Sequence, residues 1–178
     1  MYEKIVQRKE VFTGRLLRLE VQEVETAGGA RARREIVHHP GAVAVLAATP
    51  DDCCLLVRQF RAAARQVMIE IVAGVLEPGE EPLAAVRREL AEETGYRATR
   101  IIPVGAVYPT PGYCDERIDL FFARVDPAPG PRKPDEDEDL EVVLMPREQL
   151  AEAIAGGEIH DGKTLAAWAL CERCWSHE

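Results

Sequence analysis

The chain reads as an α/β domain of α+β character, short strands with a few segregated helices. Three observations predict this class. Short apolar stretches bounded by turn residues recur between Val11 and Met145, at the spacing of strands. Helical spacing is confined to about Glu81–Thr94, Arg147–Ala155 and the stretch after Asp161. The 178 residues, 47% of them hydrophobic, suffice for the core of one domain with a small extension.

The elements follow in order. Val11–Val24 carries Leu17, Leu19 and Val21 in alternation and predicts a strand. Ala32–His38 predicts a second after the Ala27-Gly-Gly-Ala30 turn, so residues 11–38 are expected as a β-hairpin. The start of the second strand is basic, with Arg31, Arg33 and Arg34. That suits either a charge-protected edge or a phosphate or ribose contact. Gly41–Ala48 is an unbroken apolar run and predicts a buried strand. Thr49-Pro-Asp-Asp52 turns the chain and Cys53–Phe60 returns it, leaving Arg61 at a strand end with Arg65 nearby. An arginine fork matches phosphate geometry, although a lone surface arginine more often pairs with a carboxylate. Met68–Ala73, Arg100–Val107, Ile118–Arg124 and Leu140–Met145 predict further strands. Tyr108–Glu116, YPTPGYCDE, is a loop fixed by prolines and a glycine, of the kind that lines sites. Asp126–Pro134 is a proline-rich connection, and the acidic run Asp135–Asp139 follows it. Arg147–Ala155 predicts a helix behind Pro146. A last helix starts at Asp161 or Gly162, with Leu165, Ala166, Trp168 and Ala169 as its apolar face.

The chain is organised around Gly74–Tyr96, GVLEPGEEPLAAVRRELAEETGY. A strand runs into a glycine loop and then into an amphipathic helix. Pro82 fits the first helical turn, and Gly95 fits a left-handed cap. Leu83, Val86 and Leu90 fall on one side. Glu89 and Glu93 lie four apart on one edge of that stripe, with Glu92 one turn from Glu89. Like charges so placed repel by a few tenths of a kcal/mol each. A hard divalent cation reverses the sign, because magnesium takes carboxylate, phosphate and water oxygens. Taken alone, an acidic helix reads more simply as a solvated, salt-bridged one, with Arg88 pairing to Glu92. Carboxylates that hold magnesium, with arginines on neighbouring strands, suit hydrolysis of a phosphoanhydride. No nucleophile motif of the GxSxG type is present.

A net charge of −9 argues against nucleic acid or anionic membrane as partner. No apolar run reaches the roughly 18 residues of a transmembrane helix. The N-terminal MYEKIVQRKE lacks a signal-peptide core. Five cysteines, an odd number, are expected as reduced thiols of a cytoplasmic protein. Cys171-x-x-Cys174 has no second pair at zinc spacing and is expected to pack on a helix face.

Taken whole, the central stretch reads Gly74, five residues, Glu80, seven residues, Arg88-Glu89-Leu90, one residue, Glu92-Glu93, one residue, Gly95-Tyr96. It resembles the signature box of the Nudix hydrolases. It departs at the last position, where Tyr96 replaces the usual aliphatic residue. Pro111, fifteen residues past Tyr96 in TPGYCDE, resembles the proline marker of the ADP-ribose pyrophosphatases. Arg33-Arg34-Glu35-Ile36 resembles the strand by which these enzymes contact adenine and ribose from the partner subunit of a swapped dimer. Val57–Arg61 resembles their phosphate-binding strand, and Pro134–Leu140 their loop that closes over substrate.

The resemblance implies a Nudix-type α/β/α sandwich with a mixed sheet over residues 41–178. Residues 1–40 form an N-terminal β-element used in dimerisation. The implied activity is Mg2+-dependent hydrolysis of a nucleoside diphosphate derivative, with ADP-ribose cleaved to AMP and ribose 5-phosphate as the leading case. Mn2+ is an alternative ion. The implied metal ligands are Glu89, Glu92, Glu93, Glu138 and the carbonyl of Ala73. Glu92 and Glu93 serve catalysis, and Arg88 orients the glutamates. Glu136 is the candidate general base, with a box glutamate as the alternative. Glu80 is expected to be structural. Leu16, packed on adenine, and Arg33, Glu35, Arg61, Gly112 and Glu116 are the implied substrate contacts. The implied partners are a small nucleoside diphosphate and a second copy of the chain in a homodimer, with no nucleic acid and no membrane. Another nucleotide sugar, a dinucleoside polyphosphate or NADH is the nearest alternative substrate. A non-catalytic Nudix-fold ligand sensor is the alternative of another class, and the intact set of box acids counts against it.

Overall fold

The computed structural model describes residues 1–132 and 139–175, so the assignments to Glu136 and Glu138 lie outside the described residues. Two units divide the chain. One is Met1–Gly41 with Tyr108–Arg117, the other Ala42–Val107 with Ile118–Glu178.

The first unit is an antiparallel meander of β1 (Glu3–Thr13), β2 (Arg18–Thr26) and β3 (Arg31–His38). The expected hairpin therefore has a further strand in front of it. The expected continuous strand Val11–Val24 is broken at a turn in which the Gly14 N–H donates to the Leu17 carbonyl at 2.8 Å. All of β1 is exposed, so its sequence has no inner face to write as alternation. Residues 108–117 attach to β3, as the Val37 N–H donates to the Tyr113 carbonyl at 2.7 Å. The Asp115 N–H donates in turn to the Val37 carbonyl at 3.0 Å.

The second unit holds β4 (Ala42–Ala48), β5 (Cys53–Arg61), β6 (Gln66–Val75), β7 (Ala98–Val107), β8 (Ile118–Val125) and β9 (Leu140–Pro146). They form one sheet in the order β7-β8-β4-β6-β5-β9. It is mixed, because β4 and β8 run parallel while the other pairs are antiparallel. Every residue of β4 is buried. Ala42, Ala44, Leu46 and Ala48 face α2 (Arg147–Ala155) and α3 (Gly162–Leu170), packing with Leu150, Ala153 and Ala167. Val43, Val45 and Ala47 face α1 (Pro82–Glu89), packing with Ala85, Val86 and Leu90. The sheet thus lies between helical layers, and each fully buried Leu or Phe in them contributes about 1.5–3 kcal/mol.

Two expected faces shift. Leu83 is 50% exposed, and Ala85 takes the core position beside Val86 and Leu90. On α3 the buried positions are Thr164 and Ala167, with Cys171 of the following turn, while Ala169 is exposed. Asp161 caps α3, accepting from the Thr164 N–H at 3.0 Å and the Thr164 hydroxyl at 2.6 Å. Cys171 packs in the core with Trp175. Among the described residues, no helix is long and apolar enough to cross a membrane.

Candidate active site

β6 delivers the chain into the glycine loop. The loop closes on itself, with the Glu80 N–H donating to the Glu77 carbonyl at 2.9 Å and the Glu77 N–H to Glu80 Oε2 at 3.1 Å. Arg88 on α1 is the hub of the acids. It grips Glu80 through Nε and Nη2 at 2.9 and 2.8 Å. Its Nη1 donates to Glu89 Oε1 at 2.7 Å and to Glu92 Oε2 at 3.1 Å. Nη2 also reaches the Val75 carbonyl at 3.3 Å, tying the helix to the end of β6. The hydrogen bonds to Glu80, and then Glu89 and Glu92, hold the guanidinium above its ordinary range. The same bonds hold Glu80 below its own.

After Glu89 the helix widens into a π-helical turn, Leu90–Thr94. Turns of this kind recur at functional sites. The Thr94 hydroxyl donates to the Leu90 carbonyl at 2.5 Å and accepts the Tyr96 N–H at 3.1 Å, which satisfies backbone groups at the end of the turn. Gly95 ends it in the left-handed conformation, at φ 76°. Glu89 and Glu93 are buried, whereas the Glu92 side chain is 40% exposed.

The donors fit a hard divalent cation. They are carboxylate oxygens, and those of Glu89 and Glu93 belong to buried side chains. Gly74 leaves the space for this arrangement, because a Cβ there would lie 1.8 Å from Glu89 Oε1. No ready-made cage of three His, Cys, Asp or Glu side chains exists among the described residues. Magnesium commonly completes its shell with phosphate and water oxygens. Ala73 immediately precedes Gly74 on β6.

Arg61 ends β5, with its side chain 41% exposed, and forms a bidentate pair with Glu70 of β6 at 2.8 and 2.7 Å. Glu70 is 1% exposed and also takes Lys163, which bonds Asp161 at 3.0 Å. Sequence reading missed this cluster. The available signal was a single acid inside the apolar run Met68–Val72, since a buried charge demands partners.

The remaining candidates belong to the first unit. Leu16 is exposed in the turn after β1. Arg33 and Glu35 lie on β3 as a loose, exposed pair at 3.8 Å. Gly112 lies in open space, and Glu116 Oε1 lies 3.7 Å from His39 Nδ1. A cavity of about 340 Å³ is lined by Ile36, Tyr108, Pro111, Tyr113, Cys114 and Asp115. Sequence reading also missed His38, whose Nδ1 lies 2.5 Å from Asp115 Oδ2.

A strand, glycine loop and acid-bearing helix on a helix-flanked mixed sheet define a Nudix-class site. The comparisons agree. The NUDIX domain family matches residues 37–168. The chain is 40% identical over 166 residues to an ADP-ribose pyrophosphatase of Bacillus subtilis, covering 93% of this chain and 90% of that one. It is 36% identical to a methanol dehydrogenase activator of Bacillus methanolicus, with the same coverage. It is also 36% identical over 148 residues to a GDP-mannose pyrophosphatase of Escherichia coli K12, covering 76% of this chain and 75% of that one. A solved structure described as an ADP compounds hydrolase shares the fold at a TM-score of 0.84 and 24% identity, covering 98% of this chain and 94% of that one. The chain belongs to the Nudix hydrolase family.

Proposed function

We propose that the protein hydrolyses the pyrophosphate bond of a nucleoside diphosphate derivative, with ADP-ribose, cleaved to AMP and ribose 5-phosphate, as its substrate. The observation that carries this reading is the set of glutamates organised by Arg88 against the Gly74 backbone. The 40% identical relative that is named for ADP-ribose supports the substrate. Glu89, Glu92, Glu93 and the Ala73 carbonyl would hold Mg2+, or Mn2+ in its place, with Glu138 as a further ligand. Bound there, the ion neutralises diphosphate charge and lowers the pKa of water.

The chain's own residues do the rest. Arg88 donates to Glu89 and Glu92 and fixes their rotamers. Arg61 presents its fork to a phosphate. Glu136, or a box glutamate in its stead, takes the proton of the attacking water. Leu16, Arg33, Glu35, Gly112 and Glu116 receive the nucleoside and ribose in a homodimer. The fully exposed β1, with Val11 53% and Phe12 57% exposed, supports burial against a second copy of the chain. Five free thiols support a reducing, cytoplasmic compartment, and the net charge of −9 supports partners other than nucleic acid or membrane.

The 36% identity to a GDP-mannose pyrophosphatase favours another nucleotide sugar as the second reading. A substrate panel led by ADP-ribose, assayed with and without magnesium, separates the two. Glu89→Gln and Glu93→Gln should each lower turnover about 100-fold while leaving the fold intact, because several kcal/mol of charge stabilisation is withdrawn. Full turnover in both variants would remove the mechanism.

A further inference from the structure

Arg61 can make five N–H contacts, and Glu70 takes two of them, at Nε and Nη2. No hydrogen bond among the described residues engages Nη1, so the opposite edge of the fork stays open on a side chain that is 41% exposed. The Glu70 hydrogen bonds, followed by the charges of Glu70 and Asp161, hold the Arg61 pKa above its ordinary range. Glu70 is itself immobilised. Lys163 pairs with it, Asp161 holds Lys163, and Asp161 also caps α3. The next residue of β6, Ile71, donates its N–H to the Thr164 hydroxyl at 3.0 Å. One turn of α3 is thus stitched to β6 at two successive residues.

A buried ion pair is weak grounds for stability, since desolvation offsets most of the Coulomb gain. An acid in the middle of Met68–Val72 therefore calls for another account. We infer that Glu70 is the positioning residue of Arg61: it grips one edge of the guanidinium so that the other meets a phosphate oxygen of the substrate. This rests on the pyrophosphatase reading above. Lys163 and Asp161 anchor the grip, and because Lys163 shares Glu70, the carboxylate does not cancel the Arg61 charge alone. A guanidinium held in its bound orientation loses less side-chain entropy when an anion arrives.

The test measures Kd for ADP-ribose by calorimetry in EDTA, and kcat and KM with magnesium. Glu70→Gln should raise Kd and KM about tenfold and leave kcat within about threefold, since the interaction is made in ground and transition state alike. The magnesium activation midpoint should not move. In an Arg61→Ala background, Glu70→Gln should add less than about twofold, because the two residues act as one unit. Glu70→Asp, which keeps the charge and shortens the reach, gives the same direction if Glu70→Gln does not fold. Unchanged Kd and KM in the folded variants, or effects that multiply on Arg61→Ala, overturn the inference. A parent that binds ADP-ribose without hydrolysing it overturns the proposed function and leaves the inference to be read from Kd. A parent that does not bind overturns both.

Discussion

Gly74 shows how narrow the site is at the scale of one residue. Gly74→Ala would place a methyl 1.8 Å from Glu89 Oε1, so the carboxylate must leave its seat. The expected result is a loss of turnover approaching that of Glu89→Gln, about 100-fold, with the magnesium activation curve moved to higher concentration. A parent-like curve would mean that Glu89 does not need that seat. Glu70 makes a prediction in pH. Burial pushes its pKa up, but the hydrogen bonds and charges of Arg61 and Lys163 outweigh it and leave the group below its ordinary 4.5. A lowered folded pKa contributes stability above the ordinary value and loses it as pH falls through the lowered one. Urea midpoints should therefore drop as pH falls below about 4.5, and Glu70→Gln should flatten that limb. A variant as acid-sensitive as the parent would assign the limb to other groups. The two residues also differ in how they could be read. The box glutamates advertise themselves by spacing along one helix. Glu70 finds its partners 9 and 93 residues away, and no local pattern encodes them.

At the scale of elements, the end of the box helix carries the sharpest constraint. Gly95 combines φ 76° with a Cβ position only 2.4 Å from the Gly130 carbonyl oxygen, and backbone cannot swing aside as a side chain can. Gly95→Ala should cost about 2 kcal/mol or more, from left-handed strain plus the clash, read as a lower urea midpoint. An unchanged midpoint would mean that residues 126–132 can lift away without cost. Strands with continuous apolar runs were legible almost to their ends: β4 begins one residue after its expected start, and β8 ends one residue later. β1 was not, because an element exposed on both faces need not alternate. The π-helical turn was not legible either, since the same residues suit i→i+4 and i→i+5 bonding, and Thr94 and Gly95 settle the choice only in place.

For the whole molecule, β1 makes the first prediction. If its exposed apolar residues meet a second copy, sedimentation should show a dimer whose fraction depends on concentration. Phe12→Glu should move it toward monomer. A parent that stays monomeric at high concentration would refute the dimer. Strand order was the part of the fold least open to reading. Nothing local says that β4 should lie beside β8, and only the family resemblance implied a mixed sheet. That pairing sets residues 42–48 against residues 118–124, with residues 49–117 between them. On the ribosome, β6 can zip onto one side of β4 soon after both emerge, but the other side stays bare until β8 has been translated. A polysome stalled between Val75 and Ile118 would present an apolar, unpaired edge at Ala42–Ala48. Such an edge is what chaperones bind, so the interval of synthesis before β8 appears is when this chain most needs their protection.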